Sequence, residues 1–471
     1  MAFARSTIDV PAVLREVPDF QTFCSVQKLH ELISALQNDS RFQITVIGDS
    51  VHGVPIHHVR FGRGRIKALI VGFPHCMEPI GGLTVFSLLT LLGRSNRTLL
   101  EADVEWNVIP CVDPDGALLN EGWTQKRFSL ENRMKHYYLQ PLADQVDTSF
   151  PIAYKKNVWE RPSKEARILM DVLESVRPDF FFSLHNAQMG GAFYYLSRDI
   201  GHRFCSQIRQ LLEANRFPLQ RRPMWREVCS EFSPGFVEFP WRWKRYDYLE
   251  QTTPSPERFL NYGVASWDHL AQINPEALTF VAEMGYVRHP SDESENETDE
   301  NLRQFKLRLD ADSKFLAVML AEEWEKVRNE INFESPFYRV IVERMALMTP
   351  DRLCEGGYPL SRYPTRDILF NPEHDRMMTE GDRFAACMVD GGYTFIVSSY
   401  QFVRLLKDSA QTAPVRHALE RLSPAFDAAL RQLGRYIDFG AFEVFSCKTL
   451  AKVQLGSGLI ALNSLLDAQL Q

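Results

Sequence analysis

The sequence is poor in cysteine, with eight in 471 residues, and lacks any pairing pattern among them. Cys24, Cys76, Cys111, Cys205, Cys229, Cys354, Cys387 and Cys447 are scattered, and no two stand in a C-x-x-C spacing. Several fall in apolar segments, where cysteine acts as a small hydrophobe. They are read as reduced, which agrees with a cytoplasmic location. A long apolar run is also missing. The longest, Leu455 to Leu466, is short and broken by glycine and polar residues, so no membrane-spanning segment is expected. Positive charge is not in excess: 53 Lys and Arg face 60 Asp and Glu, for a net charge of −7. A nucleic-acid partner would call for a basic face, and none is expected here. The first residues, Met1 to Pro11, are interrupted by Asp9 and Pro11 and do not read as a signal peptide. Internal repeats are not evident.

The rest of the composition is that of a globular enzyme, with 45% hydrophobic and 24% charged residues. The length suffices for a large core and suggests two or more domains. The most informative stretch is Phe73-Pro74-His75-Cys76-Met77-Glu78-Pro79. It follows Ile66 to Gly72, an apolar run that reads as a buried strand. It precedes Ile80 to Leu89, which reads as a helix packed back on the sheet. His75 and Glu78 therefore stand where a strand ends and a helix begins, the place where sites form in open α/β sheets. An imidazole and a carboxylate three residues apart can both reach one zinc ion.

A third donor is His185, at the end of Asp179-Phe180-Phe181-Phe182-Ser183-Leu184. This run suits a central parallel strand buried on both faces. Two histidines and a glutamate would leave one zinc position for water, the pattern of a catalytic site. Either piece alone is weak evidence, because such residues are usually ordinary polar or core groups. Their shared placement at strand ends carries the metal reading.

In these pieces the chain resembles the zinc carboxypeptidases of the M14 (funnelin) superfamily. The motifs come in the family's order: His75-x-x-Glu78; Trp106 to Gly116, similar to a strand ending in Asn-Pro-Asp-Gly; Asn132-Arg133; the strand carrying His185; and Leu278-Thr279-Phe280-Val281-Ala282-Glu283. The resemblance spans roughly residues 45–330. It implies that His75, Glu78 and His185 hold one zinc ion, and that Glu283 is the general base acting on the attacking water. It further implies that Asn132 and Arg133 bind the substrate carboxylate, with Arg127 as a second arginine and Tyr262 as a substrate-covering residue. Asn132 and Arg133 depart from the family's usual local context, and the match at Arg127 is poorer still. Specificity residues are expected near Ala265 to Asp268, where an aspartate in the pocket would suit a basic side chain.

The implied fold is α/β: a mixed, mostly parallel twisted central sheet flanked by helices, with a C-terminal α+β extension. The implied activity is removal of a C-terminal residue from a peptide or protein. The segment Phe182 to Gly190 is also similar to acylamino-acid amidohydrolases of the aspartoacylase and succinylglutamate-desuccinylase type, so that substrate class stays open. An inactive peptidase-fold binding protein is a third reading, although all four key residues are present. Residues 1–333 are expected to form the catalytic domain, including N-terminal helices near 11–37. Residues 334–471 form a largely helical extension with no chemical motif, where an oligomer contact is conceivable. Residues 117–160 look long and irregular, and residues 217–262, rich in Pro, Trp, Arg and Phe, read as a packed wall over the cleft. The acidic stretch 290–300 reads as a mobile loop.

Overall fold

The computed structural model describes residues 7–220, 228–251, 255–348, 368–369 and 371–468. Cys354 and the Gly356-Gly357 pair lie outside the described residues. The chain divides into two compact units. The first comprises residues 1–127, 142–286 and 445–471; the second comprises 128–141 and 287–444. These borders differ from the expected one at 333/334. Residues 287–333 belong with the second unit, and the last 27 residues, 445–471, return to the first.

The first unit is built on a mixed sheet of nine strands. In chain order the strands are β1 (Phe42–Asp49), β2 (Pro55–Phe61), β3 (Ile66–Gly72) and β4 (Val104–Ile109). A separate hairpin follows, β5 (Ile152–Tyr154) with β6 (Asn157–Trp159). Then come β7 (Phe180–Leu184), β8 (Ala192–Leu196), β9 (Glu231–Ser233), β10 (Phe236–Glu238) and β11 (Leu278–Met284). The spatial order is β1-β2-β4-β3-β7-β11-β8-β10-β9. Parallel pairing runs unbroken through the centre, β4-β3-β7-β11, and the antiparallel pairs lie to either side. The α/β architecture inferred from the sequence is thus present.

The centre is apolar because helices cover both faces. All five residues of β7 are buried. On one face Phe181 joins Leu69, Val71 and Ile109, packed by Leu169, Val172 and Leu173 of the helix Lys164–Val176. Those leucines and valines recur at helical spacing, and Ser163 caps the helix by accepting from the Ala166 N–H. On the other face Phe182, Phe280, Tyr194, Phe236 and Phe204 form a connected group of rings with centroids 5.0–6.0 Å apart. The helix Cys447–Ala468 lies against this face, so close that Gly458 leaves only room for the Phe182 ring. The helical pattern of this segment is readable from sequence. Its return to the sheet is not, because two apolar surfaces carry no address for each other.

The stretch 117–160 is more ordered than its composition suggests. It contains most of the helix Pro114–Thr124, the helix Leu130–His136 and the β5–β6 hairpin. Likewise 217–262 contributes β9, β10 and the helix Arg242–Glu250.

The second unit is mainly helical. Its longest helices are Leu302–Val327 and Ala413–Leu433. The buried carboxylate of Glu323 is held by Lys326 at 2.8 Å and by Arg421. Within the acidic stretch, residues from Glu297 onward form a strand to Asn301 paired with Met377–Thr379, rather than a loop throughout.

Gly458→Ala should test the return of the C-terminal helix. Its Cβ would overlap the Phe182 ring, and such overpacking costs about 1–3 kcal/mol. Thermal unfolding should show a lowered midpoint; an unchanged midpoint would mean that the helix does not pack there.

Candidate functional site

The site lies at the C-terminal ends of three adjacent parallel strands, β3, β7 and β11. Gly72 pairs with Leu184, so the segment following β3 and the segment following β7 leave the sheet level with each other. Val281 pairs with Ser183, and Glu283 and His185 stand two residues further along their strands.

The turn after β3 is sharply formed. Phe73 takes φ +57°, uncommon for a bulky residue and characteristic of functional turns. The His75 carbonyl accepts from the Glu78 N–H at 3.1 Å, which closes the His75–Glu78 turn. The following helix, Ile80–Gly93, can approach because Gly81 and Gly82 lack side chains. A Cβ on Gly81 would stand 3.0 Å from the Leu184 Cβ, and one on Gly82 2.9 Å from the Phe73 ring.

Polar links tie the ligand-bearing segments together. The Asn186 side chain accepts from the Ile80 N–H at 3.2 Å and donates to the Tyr286 hydroxyl at 2.7 Å. That hydroxyl donates to the Met77 carbonyl at 2.9 Å. The buried Gln454, from the C-terminal helix, donates to the His185 carbonyl at 2.7 Å and accepts from the Thr84 hydroxyl at 2.7 Å. A residue of the last third, where no chemical motif occurs, therefore holds the backbone of a candidate ligand.

His75, Glu78 and His185 bring one donor atom each within 4.8 Å of one another and could hold a metal ion. The two imidazole rings are 5.0 Å apart. Their burial differs in consequence. Burial holds the His75 imidazole below its usual range, with Glu78 pulling the other way. His75 is therefore a neutral, ligand-ready imidazole. Burial also opposes charge on His185, but the carboxylates of Glu78 and Asp147 outweigh it and hold its pKa well above the usual range.

Asp147 is the residue sequence reasoning missed. It lies in the short turn Val146–Thr148, inside the stretch read as irregular, and is buried. Its Oδ2 accepts from His185 Nε2 at 2.8 Å and from the Ser183 hydroxyl at 3.3 Å; its Oδ1 accepts from the Ser266 N–H at 2.9 Å. Burial raises its pKa, yet the bond from His185 and its other partners bring it below the usual value, so it stays ionised. With Nε2 committed to Asp147, the Nδ1 of His185 faces Glu78 Oε2 at 3.1 Å. The approach is close, but Glu78 Oε2 has no aligned hydrogen bond, and buried His75 Nδ1 has no partner either. Buried polar atoms without partners cost roughly 1–3 kcal/mol each. A cation shared by these three atoms would remove that cost, and a carboxylate behind a ligating histidine is the usual outer support of such a site. The donor set therefore fits a divalent metal ion.

Glu283, near the end of β11, is pushed up to about 8. Burial is the largest cause, followed by repulsion from Glu78, with His185 acting in the opposite sense. Glu283 thus feels the charges of two candidate ligands and titrates near neutrality, where proton transfer in both directions is accessible.

The remaining predicted residues are distributed differently. Arg127 is exposed in the connection after the helix Pro114–Thr124. Asn132 and Arg133 belong to the second unit. There the buried Arg133 guanidinium lies over Tyr137, 4.8 Å from the ring centre, and 5.9 Å from that of Tyr393. Tyr262 is buried in the first unit beside Tyr246 and Leu260, and its hydroxyl accepts from Arg245 at 3.0 Å. None of the seven described cysteines is in a disulfide.

No family model matches the chain, and no curated protein does. Solved structures do resemble it. A metallo-carboxypeptidase from Burkholderia cenocepacia is 15% identical, with a TM-score of 0.34 over 56% of this chain and 60% of its own. A metallo-carboxypeptidase from Pseudomonas aeruginosa in complex with (2-guanidinoethylmercapto)succinic acid is 16% identical, with a TM-score of 0.34 over 56% and 60%. Carboxypeptidase A from Helicoverpa armigera is 12% identical, with a TM-score of 0.36 over 56% and 65%. The chain thus spans less than two thirds of each of these three proteins. At such identities the chemistry of the site has to come from its own side chains.

Elemental analysis should find about one divalent ion per chain, lost in His75→Ala. Asp147→Asn should weaken metal binding about 10–100-fold, measured by chelator competition; unchanged affinity would remove Asp147 from the site. In the metal-free protein the folded state keeps a proton on Glu283 that the unfolded chain releases, between the ordinary value of 4.5 and about 8. Stability should therefore fall as pH rises through that window. Glu283→Gln should flatten this dependence in melting curves.

Proposed function

We propose that the chain is a zinc-dependent hydrolase that removes the C-terminal residue of a peptide or protein. The observation that carries this reading is the convergence of His75, Glu78 and His185 beside Glu283 at the ends of three neighbouring strands. Two histidines and one glutamate are a ligand set that suits zinc and leaves a coordination position open for catalysis. When bound there, zinc supplies Lewis acidity to the scissile carbonyl and lowers the pKa of water.

The chain's own residues divide the remaining work. His75 offers a neutral nitrogen. Asp147 keeps the Nε2 proton of His185 in place, so Nδ1 is the atom turned to the site. Asn186, Tyr286 and Gln454 hold the ligand-bearing segments in register. Glu283 accepts a proton from the attacking water and returns it to the leaving amine. Its pKa of about 8 in the absence of a cation would fall when positive charge enters beside it, which converts it to the carboxylate that a base requires. Among the described residues no helix is long and apolar enough to cross a membrane.

Glu283→Gln keeps the shape of the side chain and removes its basicity. Hydrolysis of peptides by the zinc-loaded protein should drop about 10²–10⁴-fold while zinc content is unchanged. Full turnover in this variant would overturn the assignment of the base.

A further inference from the structure

Strands β7 and β11 run parallel and in register from Phe180 and Leu278 to Ser183 and Val281. The Leu278 N–H bonds to the Asp179 carbonyl at 2.8 Å, which fixes the alternation of the ladder. Continued past Ser183, that alternation would set the His185 N–H on the Ala282 carbonyl. The His185 N–H instead turns back on its own strand and bonds to the Ser183 carbonyl at 3.0 Å. β7 thus ends in a tight turn just where it delivers His185, while β11 runs on through Glu283 with β8 as its partner. The two residues proposed to act together stand where their strands part.

Gln454 spans the gap. It is fully buried on the helix Cys447–Ala468, which is held against β7 by the contact of Gly458 with the Phe182 ring. Its Nε2 donates to the His185 carbonyl at 2.7 Å and to the Ala282 carbonyl at 3.4 Å. Its Oε1 accepts from the Thr84 hydroxyl at 2.7 Å, on the helix that follows His75 and Glu78. Two carbonyls on one side both require a donor, so the amide has a single orientation. One side chain therefore touches a candidate ligand, the residue before the candidate base, and the helix behind the other two ligands.

We propose that Gln454 is a positioning residue: its amide replaces the last rung between β7 and β11 and sets the separation of His185 from Glu283. That this separation serves catalysis rests on the hydrolase reading; the placing of His185 as a ligand does not. A buried carbonyl left without a donor is costly, so without the amide both strand ends would shift toward other partners. A displacement of about 1 Å in such a site lowers the rate on the order of 10²-fold.

The test compares Gln454→Met, which keeps the length of the side chain and removes its donors, with Gly458→Ala, which disturbs the same helix and leaves the amide in place. Zinc affinity is read by chelator competition, and kcat and KM by peptide hydrolysis with saturating zinc. Gln454→Met should lose about 10–100-fold in zinc affinity and a similar factor in kcat, with KM within about twofold. Gly458→Ala should melt at lower temperature and bind zinc as wild type does. A folded Gln454→Met with wild-type zinc affinity or wild-type kcat would overturn the inference. So would an equal loss of zinc affinity in Gly458→Ala, since any disturbance of the helix would then suffice. If Gln454→Met does not fold, Thr84→Val, which frees the amide to turn, takes its place, and unchanged zinc affinity there overturns the inference. Loss of zinc affinity in Gln454→Met, with no peptide cleaved by wild type, would strike the hydrolase reading alone. Unchanged zinc affinity beside an active wild type would strike this inference alone.

Discussion

A buried imidazole stands between two carboxylates: Asp147 on Nε2 at 2.8 Å and Glu78 facing Nδ1 at 3.1 Å. This arrangement is unfavourable unless a proton or a cation sits on the Glu78 side. Asp147 cannot turn away, because the Ser266 N–H and the Ser183 hydroxyl hold it. Nor can His185 retreat, because Gln454 holds its backbone carbonyl and β7 is buried on both faces. The sheet, the helix turn at 266–268 and the C-terminal helix thus converge on one electrostatic constraint. Competition between a proton and a cation for the Nδ1 side would couple metal binding to pH.

Glu283 adds a second tension of the same kind. Burial and repulsion from Glu78 push Glu283 up to about 8, and His185 offsets them only in part. The outer groups around the site contain no such tension. Asn186, Tyr286 and Thr84 form short, satisfied links that cost little and fix the strand ends. Stability is thereby placed in the supports, and unsatisfied potential in the residues proposed to do chemistry.

The candidate ligands were legible because the signal was local. Each sits at the end of an apolar run whose period and composition mark a central strand, and each is followed by a break in that pattern. Asp147 was not legible. Its neighbours Gln145, Val146 and Thr148 show neither period, and only the fold sets it behind His185. Arg242 was visible as part of an Arg- and Trp-rich segment, but its burial beside Asp268 and Tyr262 was not. Asn132 and Arg133 were singled out by their order in the chain, and they belong to the second unit with residues 287–444.

Periodicity, composition and motif order pointed by themselves to the α/β class, the helical character of the C-terminal region and the three candidate ligands with Glu283 beside them. Those features depend on patterns within about ten residues, where the spacing of apolar side chains dictates strand or helix. Tertiary structure alone decided which distant groups stand behind the candidate ligands: Asp147, Gln454 and Tyr286. It also decided that residues 445–471 return to the first unit. These outcomes depend on which buried surfaces and polar atoms satisfy one another across long stretches of chain, 370 residues between Thr84 and Gln454 and 455 between Ile8 and Asn463. No local pattern encodes that choice, because the free energy that selects it belongs to the packed sheet as a whole.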